Sequence, residues 1–392
     1  MPLARQQALA AQVLGAAANA ILKGAAKCAW PRRRPLGAKR VCIYRIGNIG
    51  DTACAIPAMR AIRRAYPAAH LTLLTSPGKA GSIGARDLID GASWIDELAV
   101  YHSEDIATAR GRLELVRDLR ARQFDVWIEL PAVAASLATL IRNLMVARLA
   151  GARWGSGWRY EPRFAARAQT QFIDFPDEVE RLLEIVRAAG FSADDADFPL
   201  ELNDSNRRTV TDLLDKAGLD PHDLMIAFAP GAKLDPNRWP AERFVEVGKN
   251  LAERGYAIVV LGGSSDAPTC ERIAKAIGRN AASLAGKTTV RDSCEVLARS
   301  AMLICNDSGV QHLASAVGTP CVSLFTRREF PGRWSPHGPQ HQVLMKDVAC
   351  HTCFLDACPY DNKCIKAIGV DEVIAAAGRV FAGQNNSKSQ VA

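Results

Sequence analysis

The chain has 392 residues, too many for one ordinary hydrophobic core and enough for two domains of roughly 150 residues each. Its 48% hydrophobic and 23% charged content is that of a soluble globular protein, and no run of about 18 apolar residues offers a membrane-spanning helix. The net charge of +8 lies wholly in residues 1–40, where Arg5, Lys23, Lys27, Arg32, Arg33, Arg34, Lys39 and Arg40 meet no Asp or Glu. The remaining 41 basic and 41 acidic residues cancel, so the charge describes a basic extension and no nucleic-acid-binding body.

Within that extension, Leu9, Val13, Ala17 and Ile21 recur every fourth residue and give one apolar stripe on a helix. Arg32–Arg34 follows. Two readings stand side by side: a helix lying on anionic lipid headgroups, or a packed or poorly ordered N-terminal helix. Gln6, Gln7, Gln12 and Asn19 interrupt any secretory h-region.

Strands and helices then alternate. Strands are predicted at Val41–Ile46, Leu71–Thr75, Ile95–Val100 and Asp125–Leu130, with helices at Thr52–Tyr66, Asp105–Arg122 and Ala132–Leu149. The rhythm weakens from Gly151 to Leu202, apart from a helix at Asp177–Ala189. It restarts with a helix at Ser205–Ala217. Strands follow at Met225–Ala229, Ala257–Leu261, Met302–Cys305 and Cys321–Phe325, separated by helices at Ala241–Arg254, Ala267–Ile277, Arg291–Arg299 and Ser308–Val317. This order means βα units and two mostly parallel sheets. The expected division is an extension (1–40), an N-terminal domain (41–205), a C-terminal domain (206–369), a last helix (370–382) and a disordered polar tail (383–392).

Four strand-to-helix turns carry the chemistry. In Arg45–Thr52, Gly47 and Gly50 let the backbone turn tightly, and Asp51 falls near the helix start. A helix cap explains Asp51; a general base on an acceptor hydroxyl explains it too. Asn306–His312 offers free N–H groups and a Ser308 hydroxyl to a pyrophosphate, with Asp307 and Gly309 beside it and His312 one turn on. A simple N-cap with a buried histidine is the plain alternative. After Met225–Ala229 come Gly231, Lys233 and Arg238, which suit phosphate oxygens. Asp266, after Ala257–Leu261, is a candidate for a ribose hydroxyl, or a solvated cap.

Eleven cysteines are present. Seven are scattered, as in a reducing compartment. Cys350, Cys353, Cys358 and Cys364 cluster; they could ligate one structural zinc or iron ion, with His351 spare, or stay reduced thiols.

The segments Arg45–Arg64, Pro230–Pro240 and Asn306–Trp334 together resemble glycosyltransferase family 9, the heptosyltransferases of lipopolysaccharide synthesis. The resemblance covers about residues 41–380. It implies a GT-B fold, two Rossmann-like domains facing a central cleft, with acceptor bound by the first and nucleotide sugar by the second. It implies inverting transfer from ADP-heptose to a lipopolysaccharide core or similar glycan, without a metal for catalysis, in the cytoplasm or on the inner face of its membrane. Asp51 is then the base; Asp307, Ser308, Gly309 and His312 match the donor motif. Asn48, with Arg60, Arg63 and Arg64 on the helix after Asp51, is expected at the acceptor; an ordinary solvated face explains the arginines equally. The family's usual lysine before the Trp-Pro pair falls at Asn237. Another nucleotide sugar, or a catalytically silent glycan-binding protein, are the competing readings.

Overall fold

A computed structural model describes residues 2–30, 33–133, 135–161, 175–196, 198, 200–220, 222–350 and 352–389. The chain forms two compact units, Met1–Pro199 with Phe330–Arg333, and Leu200–Glu329 with Trp334–Ala392.

The first unit opens with helix α1 (Pro2–Ala29) and then alternates: β1 (Arg40–Tyr44), α2 (Ile49–Ala65), β2 (His70–Thr75), α3 (Ala85–Ile89), β3 (Glu97–Val100), α4 (Ala109–Ala121), β4 (Val126–Glu129), α5 (Leu137–Leu149), β5 (Trp154–Ser156) and α6 (Glu178–Ala188). The strands pair in parallel in the order β3-β2-β1-β4-β5. Central β1 sets the register, with Val41 opposite Leu71 on one side and Val126 on the other. Val41, Cys42 and Ile43 are all fully buried, as expected of a strand covered by helices on both faces.

α1 joins this body. Leu22 and Trp30 belong to the cluster around Trp127, Leu140 and Leu144. The Trp30 ring stacks on Trp158 at 5.2 Å, and its indole N–H donates to the Ala152 carbonyl at 2.7 Å. Val13, Leu14 and Ile21 stay exposed. The side chains of residues 1–12, Leu9 among them, lie outside the described residues.

The second unit runs α7 (Asp204–Lys216), β6 (Met225–Ala229), a 3-10 turn (Asp235–Asn237), α8 (Ala241–Glu253), β7 (Ala257–Val260), a second 3-10 turn (Ser264–Asp266), α9 (Ala267–Ile277), β8 (Ala281–Ser283), α10 (Val290–Arg299), β9 (Ser300–Asn306), α11 (Gly309–Ala316), β10 (Cys321–Phe325), β11 (Gln342–Met345), α12 (Lys363–Lys366) and α13 (Val370–Ser389). Its sheet order, β11-β10-β9-β6-β7-β8, is all parallel and matches the doubly wound nucleotide folds.

The two-sheet α/β class expected from the sequence is the one observed. Differences fall at ends and edges. α4 and α5 begin at Ala109 and Leu137, later than expected, because Thr108 and Ser136 accept from the N–H of Gly111 and Thr139 and fix the first turns. The short strands β5, β8 and β11 and the helices α3 and α12 were not expected. α13 runs past Gly383 to Ser389 instead of ending in a disordered tail. Gln384 ties that stretch down by donating to the Ala301 carbonyl at 2.8 Å.

Candidate active site

In each sheet the strand order reverses beside the first strand of the unit, between β1 and β4 and between β6 and β9. Ligands of open α/β sheets bind beyond the carboxyl ends of the strands at such switch points. All the loops singled out by sequence leave the sheets at these ends.

In the first unit, Asp51 is the third residue of α2. Its Oδ2 accepts from the Asn48 backbone N–H at 3.1 Å, so it does cap the helix. Its Oδ1 takes a charged hydrogen bond from Arg45 at 3.2 Å, while the carboxylate stays 24% exposed. Gly47 makes the turn possible: its φ is +153°, and an added Cβ would sit 2.3 Å from the Asp51 Cβ.

Arg45 is anchored in turn. It donates to the Pro131 carbonyl at 2.9 Å, just beyond β4, and to Glu178 at 3.0 Å. Arg181 grips the same carboxylate at 2.6 Å, and Arg333 approaches it at 3.8 Å while bonding Glu161 at 2.5 Å. Burial alone would raise the Glu178 carboxyl. Arg181, Arg45 and Arg333 outweigh it and hold the group below its ordinary range. The result is a buried charge cluster that braces one partly exposed carboxylate.

The expectation of a basic face beside Asp51 needs correction. α2 rises about 1.5 Å per residue, so Arg63 and Arg64 lie about 18–20 Å further along, at the other end of the sheet. Arg63 is occupied there, with the Trp94 carbonyl at 2.9 Å, the Ala69 carbonyl at 2.8 Å and an ion pair to Asp96. Arg60 is half-buried at mid-helix, on the side turned away from Asp51.

In the second unit the ends of β6, β7 and β9 bring the other candidates together. Asn306 is fully buried; it donates to the Pro230 carbonyl at 2.6 Å and accepts from the Trp239 N–H at 3.1 Å, locking the first loop to the third. Asp307 accepts from Asn237 at 3.2 Å and from Gln311 at 3.3 Å. Burial, with Glu329 adding to it, pushes its carboxyl up to about 7; Arg328 and Gln311 offset only part. Gly231 faces Asp266: a Cβ there would meet Oδ2 at 2.5 Å. Arg238 is pinned by the Ala232 carbonyl at 2.8 Å and lies 3.8 Å from Asp266, with half its side chain exposed. Lys233 is exposed on the same loop.

Ser308 precedes Gly309, the first residue of α11. It occupies the N-cap position but makes no capping bond, and its hydroxyl is buried with no hydrogen-bond partner among the described residues. The plain capping explanation therefore does not account for it. His312, one turn on, is 5% exposed and packs edge-on to Trp334 at 6.0 Å.

Sequence reasoning missed the structural parts played by Arg45, Asn306 and Arg333, although all three lie inside the segments that carried the resemblance. Nothing local to the sequence marks Glu178. Of the cysteines of the 350–364 cluster three are half-buried and Cys364 is buried, and among the described residues no group of three or more His, Cys, Asp or Glu is arranged to hold a metal. His351 lies outside the described residues. No helix among those described is long and apolar enough to cross a membrane.

The family model for glycosyltransferase family 9 (heptosyltransferase) matches residues 112–364, more than half of the chain. The chain belongs to this family. The matched stretch includes every donor-loop candidate and starts after Asp51. Lipopolysaccharide heptosyltransferase 2 of Escherichia coli K12 is 26% identical over 229 residues, 55% of this chain and 63% of that protein. The chain thus spans less than two thirds of that relative's length. Among solved structures, the glycosyl transferase family 9 protein from Veillonella parvula superposes with a TM-score of 0.73 at 22% identity, over 90% of this chain and all of that one. E. coli heptosyltransferase WaaC with ADP-2-deoxy-2-fluoro heptose superposes with a TM-score of 0.61 at 18% identity, over 88% and 99%. These likenesses establish the GT-B fold.

Proposed function

We propose that this protein is an inverting glycosyltransferase that moves a heptose from ADP-heptose to a lipopolysaccharide core or similar glycan, at the cytoplasmic face of a membrane. The observation that carries the reading is the unpartnered, buried Ser308 hydroxyl at the start of α11, placed at the switch point of a nucleotide-type sheet. A diphosphate oxygen satisfies that hydroxyl and the first N–H groups of the helix together. Asp266, kept in place against Gly231, suits the ribose.

Asp51 removes the proton from the acceptor hydroxyl, with Arg45 fixing its orientation and Asn48 beside it. The acceptor oxygen attacks the anomeric carbon and the bond to the diphosphate breaks with inversion. The α11 N-terminus, Ser308 and Lys233 stabilise the charge growing on the leaving diphosphate. No metal enters this scheme.

Asn237 favours one second reading, a nucleotide sugar other than ADP-heptose, because a neutral amide occupies the family's usual lysine position. Thermal unfolding with ADP-, UDP- and GDP-sugars separates the two. A ligand at 100 times its dissociation constant adds about 2.7 kcal/mol. Stabilisation by ADP-heptose is expected; stabilisation only by a UDP- or GDP-sugar overturns the heptose assignment.

A further inference from the structure

We propose that the α4–α5 face of the first unit is a docking surface for an anionic lipid bilayer. The inference deepens the membrane part of the reading above and does not depend on which sugar is transferred.

α5 is apolar on both sides. Leu140, Leu144 and Ala147 pack into the core. Ile141, Met145 and Leu149, each four residues apart, are 40%, 56% and 54% exposed on the outside. A helix that is apolar all round is normally buried all round. With Leu113 and Val116 of α4, this outer stripe floors an open groove of 830 Å³. Contiguous apolar surface of this kind marks an interaction site.

The rim identifies the occupant. Arg112, Arg117, Arg120 and Arg142 line the groove, and among the described residues none of them forms an ion pair. Their neighbours Arg110 on α4 and Arg122 at its C-terminal cap are neutralised, the first by Glu114 and the second by Asp118 and Glu97. The unpaired charges thus collect on the apolar side. At the last turn of α5 a second pocket, of 540 Å³, adds Arg33 and Arg148 around Trp30, while Arg153 there is paired with Asp125 at 3.1 Å. An apolar floor inside a cationic rim complements acyl chains below phosphate headgroups. A second copy of this chain fits poorly, since its arginines would oppose these.

The test is cosedimentation of the full chain with vesicles of phosphatidylcholine, alone or with added phosphatidylglycerol. The wild type should bind the anionic vesicles and ignore the neutral ones. Arg112→Gln/Arg117→Gln/Arg120→Gln should weaken binding by roughly a hundredfold, each charge near such a surface being worth about a factor of five. Ile141→Ser/Met145→Ser/Leu149→Ser should weaken it at least tenfold. Both sets change exposed side chains, and unfolding midpoints near wild type would confirm the fold. Both leave residues 1–40 intact, so unaltered binding by both variants would assign the membrane contact to the extension and overturn the proposal. So would a wild type that ignores anionic vesicles, or a dimer abolished by the serine variant without vesicle binding. Stabilisation by ADP-heptose, read in parallel, separates failure of docking from failure of the transferase reading.

Discussion

Asn237 donates from its amide to Oδ2 of the half-buried Asp307 at 3.2 Å, while Thr326 donates to its carbonyl at 3.1 Å. The amide orients Asp307 without neutralising it, and burial, then Glu329, lifts the carboxyl to about 7. The sign follows. An acid whose folded pKa is raised contributes stability that is fully present below the unfolded value, near 4, and is lost as pH rises through about 7. A charged Asp307 also repels a diphosphate. Asn237→Lys should therefore flatten the fall in stability between about pH 4 and 7, by on the order of 1 kcal/mol for each pKa unit recovered. Denaturation midpoints across that range, with ADP titrations at pH 6 and 8, check it. A variant whose pH profile matches the wild type would mean that Asp307 does not titrate there.

Much of the fold was legible because buried parallel strands announce themselves as short apolar runs. Met225–Ala229 and Cys321–Phe325 form with the bounds that their apolar residues suggest. Edge strands escape this logic: Trp154–Ser156 and Ala281–Ser283 have three residues each and pair on one side only. The loops of the site were legible through glycine and Asx chemistry. Their supports were not, because Arg45 and Glu178 meet across 133 residues of sequence. The arginines after Asp51 show the opposite error. Proximity in sequence suggested a shared site, and the length of α2 separates them.

Asp51→Asn keeps an acceptor oxygen for the Asn48 N–H and removes only the basicity and the charge. Turnover should fall by about 10²–10⁴-fold, the usual worth of a positioned base. Stabilisation by the nucleotide sugar should persist, since the donor candidates lie on other loops. Single-turnover rates and thermal shifts measure the two separately. Undiminished turnover would take Asp51 out of the mechanism.

Gly231→Ala probes the donor loop without touching the core. The new Cβ would meet the Asp266 carboxylate at 2.5 Å, and that carboxylate is the free end of a side chain, able to swing aside. Folding should be nearly unaffected. If Asp266 holds the ribose, KM for the donor should rise tenfold or more while kcat changes little, as expected for loss of an interaction equal in ground and transition states. Steady-state kinetics at fixed acceptor would show the split, and an unchanged KM would leave Asp266 as a helix cap.

Glu178→Gln tests the brace beneath Asp51. The wild-type carboxylate balances Arg45 and Arg181 directly, with Arg333 at 3.8 Å, and is itself fully buried. A neutral amide leaves those cations uncompensated, which costs about 3–5 kcal/mol for a buried pair broken on one side. Because the folded pKa of Glu178 is depressed, its contribution is complete above the unfolded value, near 4.3, and fades only as pH falls through the folded one. Urea midpoints should therefore differ most at neutral pH and converge at the acid end. The same substitution loosens Arg45, and with it the orientation of Asp51, so kcat should fall in the fraction that remains folded. Equal midpoints at pH 7 would show that the arginines find other partners and that Asp51 is held by its helix alone.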